Sequence, residues 1–294
     1  MNDSVSIKNI FAEKAKAYYE LTKFRLSMTV VFSGAFGFCL ASSKIDWAKV
    51  LLFSIAAFAT TAAANIINQI IEKDLDKLMK RTANRPLPSG RLSLQEASVF
   101  GWVLAVLAMV ILFFEFNTRA GMLALLSMIL YGFVYTPLKR VGVIGVIVGA
   151  FPGAFPPMIG WVAATNHFGL EPGILFAIQF FWQFPHFWAI AWVLDEDYKK
   201  AGFKMLPSSG GKDLSSAIQI MIYTLFLLPI CWLPYYLKMT GINSAIVATV
   251  FGLLFLAQTF YLIRKVTDKA ALQLMFGSFI FLPVVQIAFL LDKI

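Results

Sequence analysis

Nine apolar stretches, each long enough as a helix to cross a lipid bilayer, limit what this chain can fold into. They cover approximately residues 25–42, 49–71, 95–115, 119–137, 142–164, 172–194, 215–237, 243–263 and 271–291. A helix needs roughly 20 apolar residues to cross a hydrocarbon core of about 30 Å, so each stretch is long enough to span once. With 59% hydrophobic and 14% charged residues, the chain is far more apolar than a soluble protein.

The stretches predict an all-α polytopic membrane protein. Backbone groups must pair internally in lipid, and the long uniform runs lack the alternation of a barrel strand. No linker or repeat divides the chain, so we expect one domain over residues 1–294, in which residues 1–24 precede the first span. Residues 5–20 alternate apolar and charged groups at helical spacing, which is typical of a helix on the membrane surface.

The basic residues predict the orientation in the membrane. Twenty of the 25 lysines and arginines fall in one set of loops, and five fall in the other set. The positive-inside rule puts the richer set, and with it the amino terminus, in the cytoplasm. A bacterial or archaeal inner membrane is the simplest location. These loops account for the net charge of +9, so a nucleic-acid partner is not expected.

The second apolar stretch ends in a cluster of carboxylates. On a helix that turns about 100° per residue, Asn68, Glu72 and Asp76 lie within an arc of about 80° and share one face. Asp74 points away from that face. Oxygen donors without cysteine or histidine suit a hard cation such as Mg²⁺, which is commonly held by one or two carboxylates and the phosphate oxygens of a substrate.

Basic side chains follow the cluster at once. Arg81, Arg85 and Arg91 could bind a diphosphate bidentately beside the metal. The alternative is a solvated helix end whose acids only pair with neighbouring lysines. Lys139 and Arg140, at the end of the fourth span, could reach the same diphosphate or serve as an ordinary positive-inside anchor.

A second acidic cluster follows the sixth span on the same side of the membrane. Asp195, Glu196 and Asp197 stand there beside several lysines. Together with Glu72, Asp74 and Asp76 they make six of the sixteen acidic residues, gathered in only two places. This repetition favours a shared metal and diphosphate site over two solvated helix ends.

His186 lies inside the sixth span, directly after Pro185. An ionisable residue at that depth faces a cavity or a partner by default. It could carry a proton, contact a porphyrin or orient a substrate, and it could equally form a hydrogen bond within the bundle.

The motifs resemble a known family of intramembrane enzymes. Asn68-x₃-Glu72-x₃-Asp76 and the basic run at 80–90 look like the first signature of the UbiA superfamily of prenyltransferases. Four further segments are similar to the branch of that superfamily that farnesylates haem B. They are Tyr135-Thr-Pro-Leu-Lys-Arg140, Gly153-Ala-Phe-Pro-Pro-Met-Ile-Gly-Trp161, Trp182-Gln-Phe-Pro-His-Phe-Trp188 and Asp197-Tyr-Lys-Lys-Ala-Gly-Phe-Lys-Met-Leu-Pro207.

The resemblance implies a fold, a reaction and a set of partners. The fold is nine transmembrane helices around a central cavity. The reaction transfers a farnesyl group from farnesyl diphosphate to a vinyl group of haem B, which gives haem O. The implied partners are these two substrates, the lipid bilayer and, transiently, haem A synthase or oxidase assembly proteins.

Mapping the family motifs onto this chain gives three groups of site residues. Glu72, Asp76 and Asp197 are the implied catalytic residues. The implied Mg²⁺ ligands are Asn68, Glu72, Asp76, Asp195 and Asp197. The substrate-binding residues predicted from the motifs and the nearby charges are Arg25, Asn68, Arg81, Arg85, Lys139, Arg140, His186 and Tyr198.

Two positions depart from the family pattern. Glu72 stands where the family usually has Asp, and Val193 stands where the second motif usually has an acid. Two other functions remain open at this point. One is prenyl transfer to an aromatic quinone precursor, and the other is cation transport, although the acids lie at one membrane face rather than near the midplane.

Overall fold

The computed structural model describes the backbone of residues 2–294 and the side chains of residues 11–294, and in that part every regular element is a helix. The helices are α1 Asn2–Leu21, α2 Phe24–Ala41, α3 Trp47–Asp76, α4 Leu94–Val110, α5 Thr118–Ile129, α6 Thr136–Leu138, α7 Val143–Thr165, α8 Leu170–Val193, α9 Asp195–Lys200, α10 Leu214–Ile230, α11 Leu233–Tyr236, α12 Ile242–Lys265 and α13 Asp268–Leu291. Two π-helical segments, Ile111–Phe116 and Leu130–Tyr135, extend α4 and α5.

The predicted all-α fold and its nine spans are confirmed. Within residues 2–294, nine helical segments are long and apolar enough to cross a membrane. They are Phe24–Ala41, Trp47–Asp76, Leu94–Phe116, Thr118–Leu138, Val143–Thr165, Leu170–Val193, Leu214–Tyr236, Ile242–Lys265 and Asp268–Leu291. The second span extends furthest beyond its apolar stretch. α3 is 30 residues long and stays helical through its charged end. That extension carries the acidic cluster on a rigid helix.

The spans surround a central cavity of ≈ 560 Å³. Residues from α2, α3, α5, α7, α8, α13 and the two π-helical segments line it. α10 and α12 pack behind α8 and α13, where they build the largest apolar core. The cavity that the family resemblance implies is therefore present.

Glycines bring α2 and α7 into close contact. A Cβ added at Gly160 would lie 1.9 Å from the Gly34 carbonyl oxygen, and one added at Gly37 would lie 2.0 Å from the Pro157 carbonyl oxygen. Neither contact leaves room for a methyl group. Small residues commonly allow helices to approach this closely in membranes.

Replacing Gly160 with alanine is therefore expected to destabilise the protein by about 1–3 kcal/mol through overpacking. The measurement is the thermal unfolding midpoint of the detergent-solubilised protein. Gly173→Ala is the matched control, because a Cβ at Gly173 in α8 meets nothing within 4 Å. Equal midpoints for the two variants would contradict the proposed close contact.

Prolines inside α7 leave carbonyl groups that neighbouring helices satisfy. Pro156 and Pro157 have no N–H to donate to the carbonyl oxygens four residues earlier. Ser127 Oγ donates to the Pro152 oxygen at 3.2 Å, and Gln179 Nε2 donates to the Gly153 oxygen at 2.7 Å. α7 therefore stays helical from Val143 to Thr165 beside the cavity.

α1 packs against the same end of the bundle as the acidic cluster. Ala17 and Leu21 are buried in a small core with Ile66 and Leu87. Glu20 forms an ion pair with Arg91, and Lys14 pairs with Glu96. For the predicted surface helix, the side chains of residues 5–10 lie outside the described residues.

Candidate active site

Asn68, Glu72 and Asp76 share one buried face at the end of α3. Their exposures are 1%, 3% and 0%, which excludes a solvated helix end for these two acids. Asp74 behaves differently: its side chain is 73% exposed and lies 3.2 Å from Lys77 Nζ. The helical spacing of the sequence thus separates two buried carboxylates from one ordinary surface carboxylate.

Each buried carboxylate faces a cation from a different part of the chain. Lys139 Nζ lies 2.9 Å from Glu72 Oε1 and donates to Oε2 at 3.1 Å. Asn68 Nδ2 also donates to Glu72 Oε2, at 2.9 Å. Arg85 Nη1 donates to both oxygens of Asp76, at 2.9 and 2.7 Å. Buried charges need such partners, because desolvation penalises an unpaired ion.

Lys23 also contacts the candidate site, although no sequence motif singles it out. It occupies the break between α1 and α2 in a left-handed conformation with φ of 49°, and its Nζ donates to Asn68 Oδ1 at 3.1 Å. Burial, with the positive charges of Arg85 and Lys139 nearby, holds the pKa of Lys23 well below its usual value. The crowding of three basic side chains around two buried carboxylates favours an anionic ligand, whose charge would hold Lys23 in its protonated form.

The second acidic segment meets the loop that follows α3. The Arg81 backbone N–H donates to Asp197 Oδ2 at 3.4 Å, and the Arg81 guanidinium carbon lies 5.9 Å from the centre of the Tyr198 ring. Lys200 donates to Asp197 Oδ1 at 3.0 Å and holds the pKa of that carboxyl below its usual value. Asp195 pairs with Lys199 at 2.7 Å.

The loop around Lys139 joins the other two. Lys139 Nζ lies 4.8 Å from the centre of the Tyr135 ring and 5.8 Å from the centre of the Phe203 ring. The Lys204 backbone N–H donates to the Lys139 carbonyl oxygen at 3.3 Å. Three loops from separate parts of the sequence therefore converge at one end of the bundle.

Two predicted binding residues lie apart from these contacts. Arg25 and Arg140 are exposed, and neither guanidinium group forms a hydrogen bond or ion pair with any of residues 11–294, although the Arg140 backbone N–H donates to the Pro137 carbonyl oxygen at 3.3 Å. Arg25 follows Lys23 by two positions, so sequence distance alone could not tell which of the two enters the site.

The donor set fits a metal ion that arrives with phosphate oxygens. Among the described residues, no group of three or more acidic, histidine or cysteine side chains is arranged as a metal cage. Mg²⁺ does not require one, since one or two carboxylates and substrate phosphates commonly hold it. Glu72 and Asp76 supply hard oxygen donors of that kind, with Asp197 on the neighbouring helix α9.

The charged cluster adjoins the central cavity. Asn65 lies one helical turn from Asn68 on α3 and lines the cavity together with Tyr131 and Tyr135. The Tyr131 hydroxyl donates to Asn65 Oδ1 at 3.4 Å. Most of the remaining lining is apolar, so a ligand with an anionic head and an apolar tail would match both regions.

His186 lines the cavity and also forms a hydrogen bond within the bundle. Its Nδ1 lies 2.7 Å from Ser278 Oγ of α13. The ring stacks on Trp182 with centres 4.5 Å apart, and the Trp182 indole N–H donates to the Ser278 carbonyl oxygen at 2.9 Å. A fixed imidazole is therefore part of the cavity wall.

Proteins of known name or structure resemble this chain over nearly its whole length. A protein named protoheme IX farnesyltransferase from Cytophaga hutchinsonii is 56% identical over 96% of this chain and 99% of its own length. A solved structure described as digeranylgeranylglyceryl phosphate synthase has a TM-score of 0.79 and 26% identity, covering 95% of this chain and 98% of that one.

A UbiA homologue from Archaeoglobus fulgidus, bound to DMAPP and Mg²⁺, has the same fold. Its TM-score is 0.68 at 18% identity, over 92% of this chain and 98% of that one. The sequence pattern of the UbiA prenyltransferase family matches residues 30–282 of this chain. The protein is thus a multi-pass membrane enzyme that belongs to the UbiA prenyltransferase family.

Proposed function

We propose that the protein transfers a farnesyl group from farnesyl diphosphate to a vinyl group of haem B and so makes haem O. The observation that carries this proposal is the cluster of two buried carboxylates and three half-buried basic side chains at the end of an apolar cavity. The choice of haem B as acceptor is supported by the name of the relative that is 56% identical.

The cations act on the leaving group. Lys23, Arg85 and Lys139 are near enough to one another to surround a diphosphate at the end of α3. The bond between the allylic carbon and the diphosphate oxygen breaks, and its electron pair leaves with the diphosphate. Positive groups aimed at that growing negative charge lower the barrier. Arg81 on the adjacent loop adds a guanidinium, and Arg25 and Arg140 lie exposed on the same membrane face.

The carboxylates are the proposed metal ligands. Glu72, Asp76 and Asp197, with Asn68 and Asp195 beside them, would hold Mg²⁺ together with the diphosphate. When bound, the ion supplies additional positive charge for the leaving group. The carboxylates would then exchange their present lysine and arginine partners for the metal, which frees those cations for phosphate oxygens.

The cavity protects the allylic cation until the acceptor reacts. Its mainly apolar walls keep water away from the cation. The vinyl π electrons of haem B form the new carbon–carbon bond. Water then adds to the cation that remains beside the porphyrin and loses a proton, which leaves a hydroxyl group. His186 and Tyr198 are the proposed porphyrin and substrate contacts.

The other functions considered from the sequence are not favoured. Cation transport does not agree with membership of a prenyltransferase family. Transfer to an aromatic quinone precursor uses the same diphosphate chemistry, but the similar farnesyltransferase supports haem as the acceptor. We further propose that residues 1–294 form one domain in a bacterial inner membrane, with the amino terminus in the cytoplasm. Transient contact with haem A synthase or oxidase assembly proteins is part of the same proposal.

The test is a reaction with purified protein in lipid nanodiscs containing haem B. Farnesyl diphosphate and Mg²⁺ are added, and products are identified by mass spectrometry. We expect a haem that has gained one farnesyl group and one hydroxyl group. Removal of Mg²⁺ with a chelator should stop the reaction, and its return should restore it. Prenylation of 4-hydroxybenzoate or a naphthoate while haem stays unchanged would contradict the proposal.

A further inference from the structure

The cavity has two walls of different chemistry. The wall formed by α8 and α13 carries aromatic and polar side chains, among them Trp182, His186 and Gln286. The part of the lining contributed by α3, α5 and α7 is called here the deep wall. It carries Phe53, Ala57, Ala124 and Ile159 at its far end, and Thr60, Thr61 and Ser127 add hydroxyl groups nearer the charged cluster. The far end of the deep wall, at Phe53 and Ala57, is lined by hydrocarbon side chains.

The deep wall runs down α3 from the charged cluster. Asn65 lines the cavity one turn below Asn68, and Phe53 is the last residue of α3 that lines it. At 1.5 Å per residue, Asn65 and Phe53 lie roughly 18 Å apart along the helix. A prenyl chain whose diphosphate is held near Asn68 would therefore extend along α3 toward Phe53.

Phe53 closes this end of the cavity. It is only 1% exposed, and its ring stacks on Phe38 with centres 5.5 Å apart. Phe116 packs edge-on against both rings at 5.8 Å. Neither Phe38 nor Phe116 lines the cavity, so both stand behind Phe53 and support it.

A small residue precedes this closed end. Ala57 lies one helical turn nearer the charged cluster than Phe53 and also lines the cavity. Its methyl group leaves the space beside Phe53 open to the end of a chain. A large side chain at position 57 would move the closed end by about one turn, or 5.4 Å.

We propose that Phe53 sets the maximum length of the prenyl chain that the enzyme accepts, and that Ala57 keeps the last part of that space open. This inference rests on the proposed prenyl transfer but does not depend on haem being the acceptor. Phe53 acts through the volume of its ring and takes no part in the bond-making step.

The test uses two variants that should change the chain length in opposite directions. Each variant receives equal amounts of geranyl, farnesyl and geranylgeranyl diphosphate with haem B and Mg²⁺, and the prenylated haems are quantified by mass spectrometry. Phe53→Ala is expected to raise the ratio of geranylgeranyl to farnesyl product at least about tenfold. Ala57→Phe is expected to raise the ratio of geranyl to farnesyl product by a similar factor, since one group in a hydrophobic pocket changes selectivity by about 10–200-fold.

Phe114→Ala is the matched control, because Phe114 is exposed to lipid and does not line the cavity. Its product ratios should equal those of the unmodified protein. Active Phe53→Ala and Ala57→Phe variants with unchanged ratios would overturn the inference. If Phe53→Ala does not fold, the same product ratios are measured for Phe53→Leu and Ala57→Phe, and unchanged ratios in both would overturn the inference.

A binding measurement separates this inference from the proposed acceptor. The concentration of each diphosphate that gives half-maximal thermal stabilisation is measured with Mg²⁺ and without haem. Phe53→Ala should bind geranylgeranyl diphosphate more tightly, relative to farnesyl diphosphate, than the unmodified protein does. Altered binding without any haem product would reject haem B and keep the role of Phe53, whereas unchanged binding preferences would reject that role.

Discussion

Replacing Asp76 with asparagine is expected to lower the turnover number by about a hundredfold or more, while the protein stays folded. Asp76 is fully buried and accepts two hydrogen bonds from Arg85. Asparagine has nearly the same shape and can still accept from Arg85 through its amide oxygen, but it carries no charge for a metal ion. Loss of one group that stabilises transition-state charge typically costs about 10²–10³ in rate. The measurement is the initial rate of prenylated haem formation at saturating substrates and Mg²⁺.

Asp74→Asn is the control for that variant. The change of residue is the same and the position is on the same helix end, but the Asp74 side chain is exposed and pairs only with Lys77. We expect turnover within about twofold of the unmodified protein, because exposed ion pairs contribute little. Full activity of Asp76→Asn at saturating Mg²⁺ would remove Asp76 from the proposed metal site.

Replacing Lys139 with methionine is expected to destabilise the protein and also to abolish most turnover. Lys139 is the cation beside the buried Glu72 carboxylate, so its loss leaves an uncompensated charge. Breaking a buried ion pair in this way costs about 3–5 kcal/mol. Lys269→Met, at an exposed position, is the control for removing one lysine from the same membrane face.

The double variant Lys139→Met with Glu72→Gln separates stability from catalysis. Removing both charges should return the thermal unfolding midpoint close to that of the unmodified protein, since no unpaired charge is then buried and Asn68 can still donate to the amide oxygen of Gln at position 72. Turnover should stay low, because a diphosphate-binding cation and a metal ligand are both missing. A double variant that regains turnover would show that the pair has only a structural role.

Local patterns were enough to predict the spans and the first acidic cluster. Apolar stretches define where a helix can cross the membrane, and the turn of the helix puts Asn68, Glu72 and Asp76 on one face. The end of α3 was less predictable, because a helix can continue through polar residues once neighbouring segments bury them. Asp76 lies in that continuation.

The contacts between distant segments could not be derived from the sequence. Lys23 reaches Asn68 only because the chain breaks between α1 and α2, whereas Arg25 has a similar position in the sequence and stays exposed. The contact between His186 and Ser278 joins α8 to α13. The closed end of the cavity at Phe53 depends on an aromatic ring from α2 and on another from the π-helical segment that extends α4. Hydropathy carries no information on such pairings.

The close packing of α2 against α7 has a consequence for how the protein is made. The backbone of Gly37 fits against Pro157, and Ser33 accepts a hydrogen bond at 2.8 Å from Gln286 near the end of the last span. Because synthesis begins at the amino terminus, α2 enters the membrane long before either partner exists. α2 therefore packs on α3 early but waits for α7 and α13, and the cavity closes only when α13 has joined it.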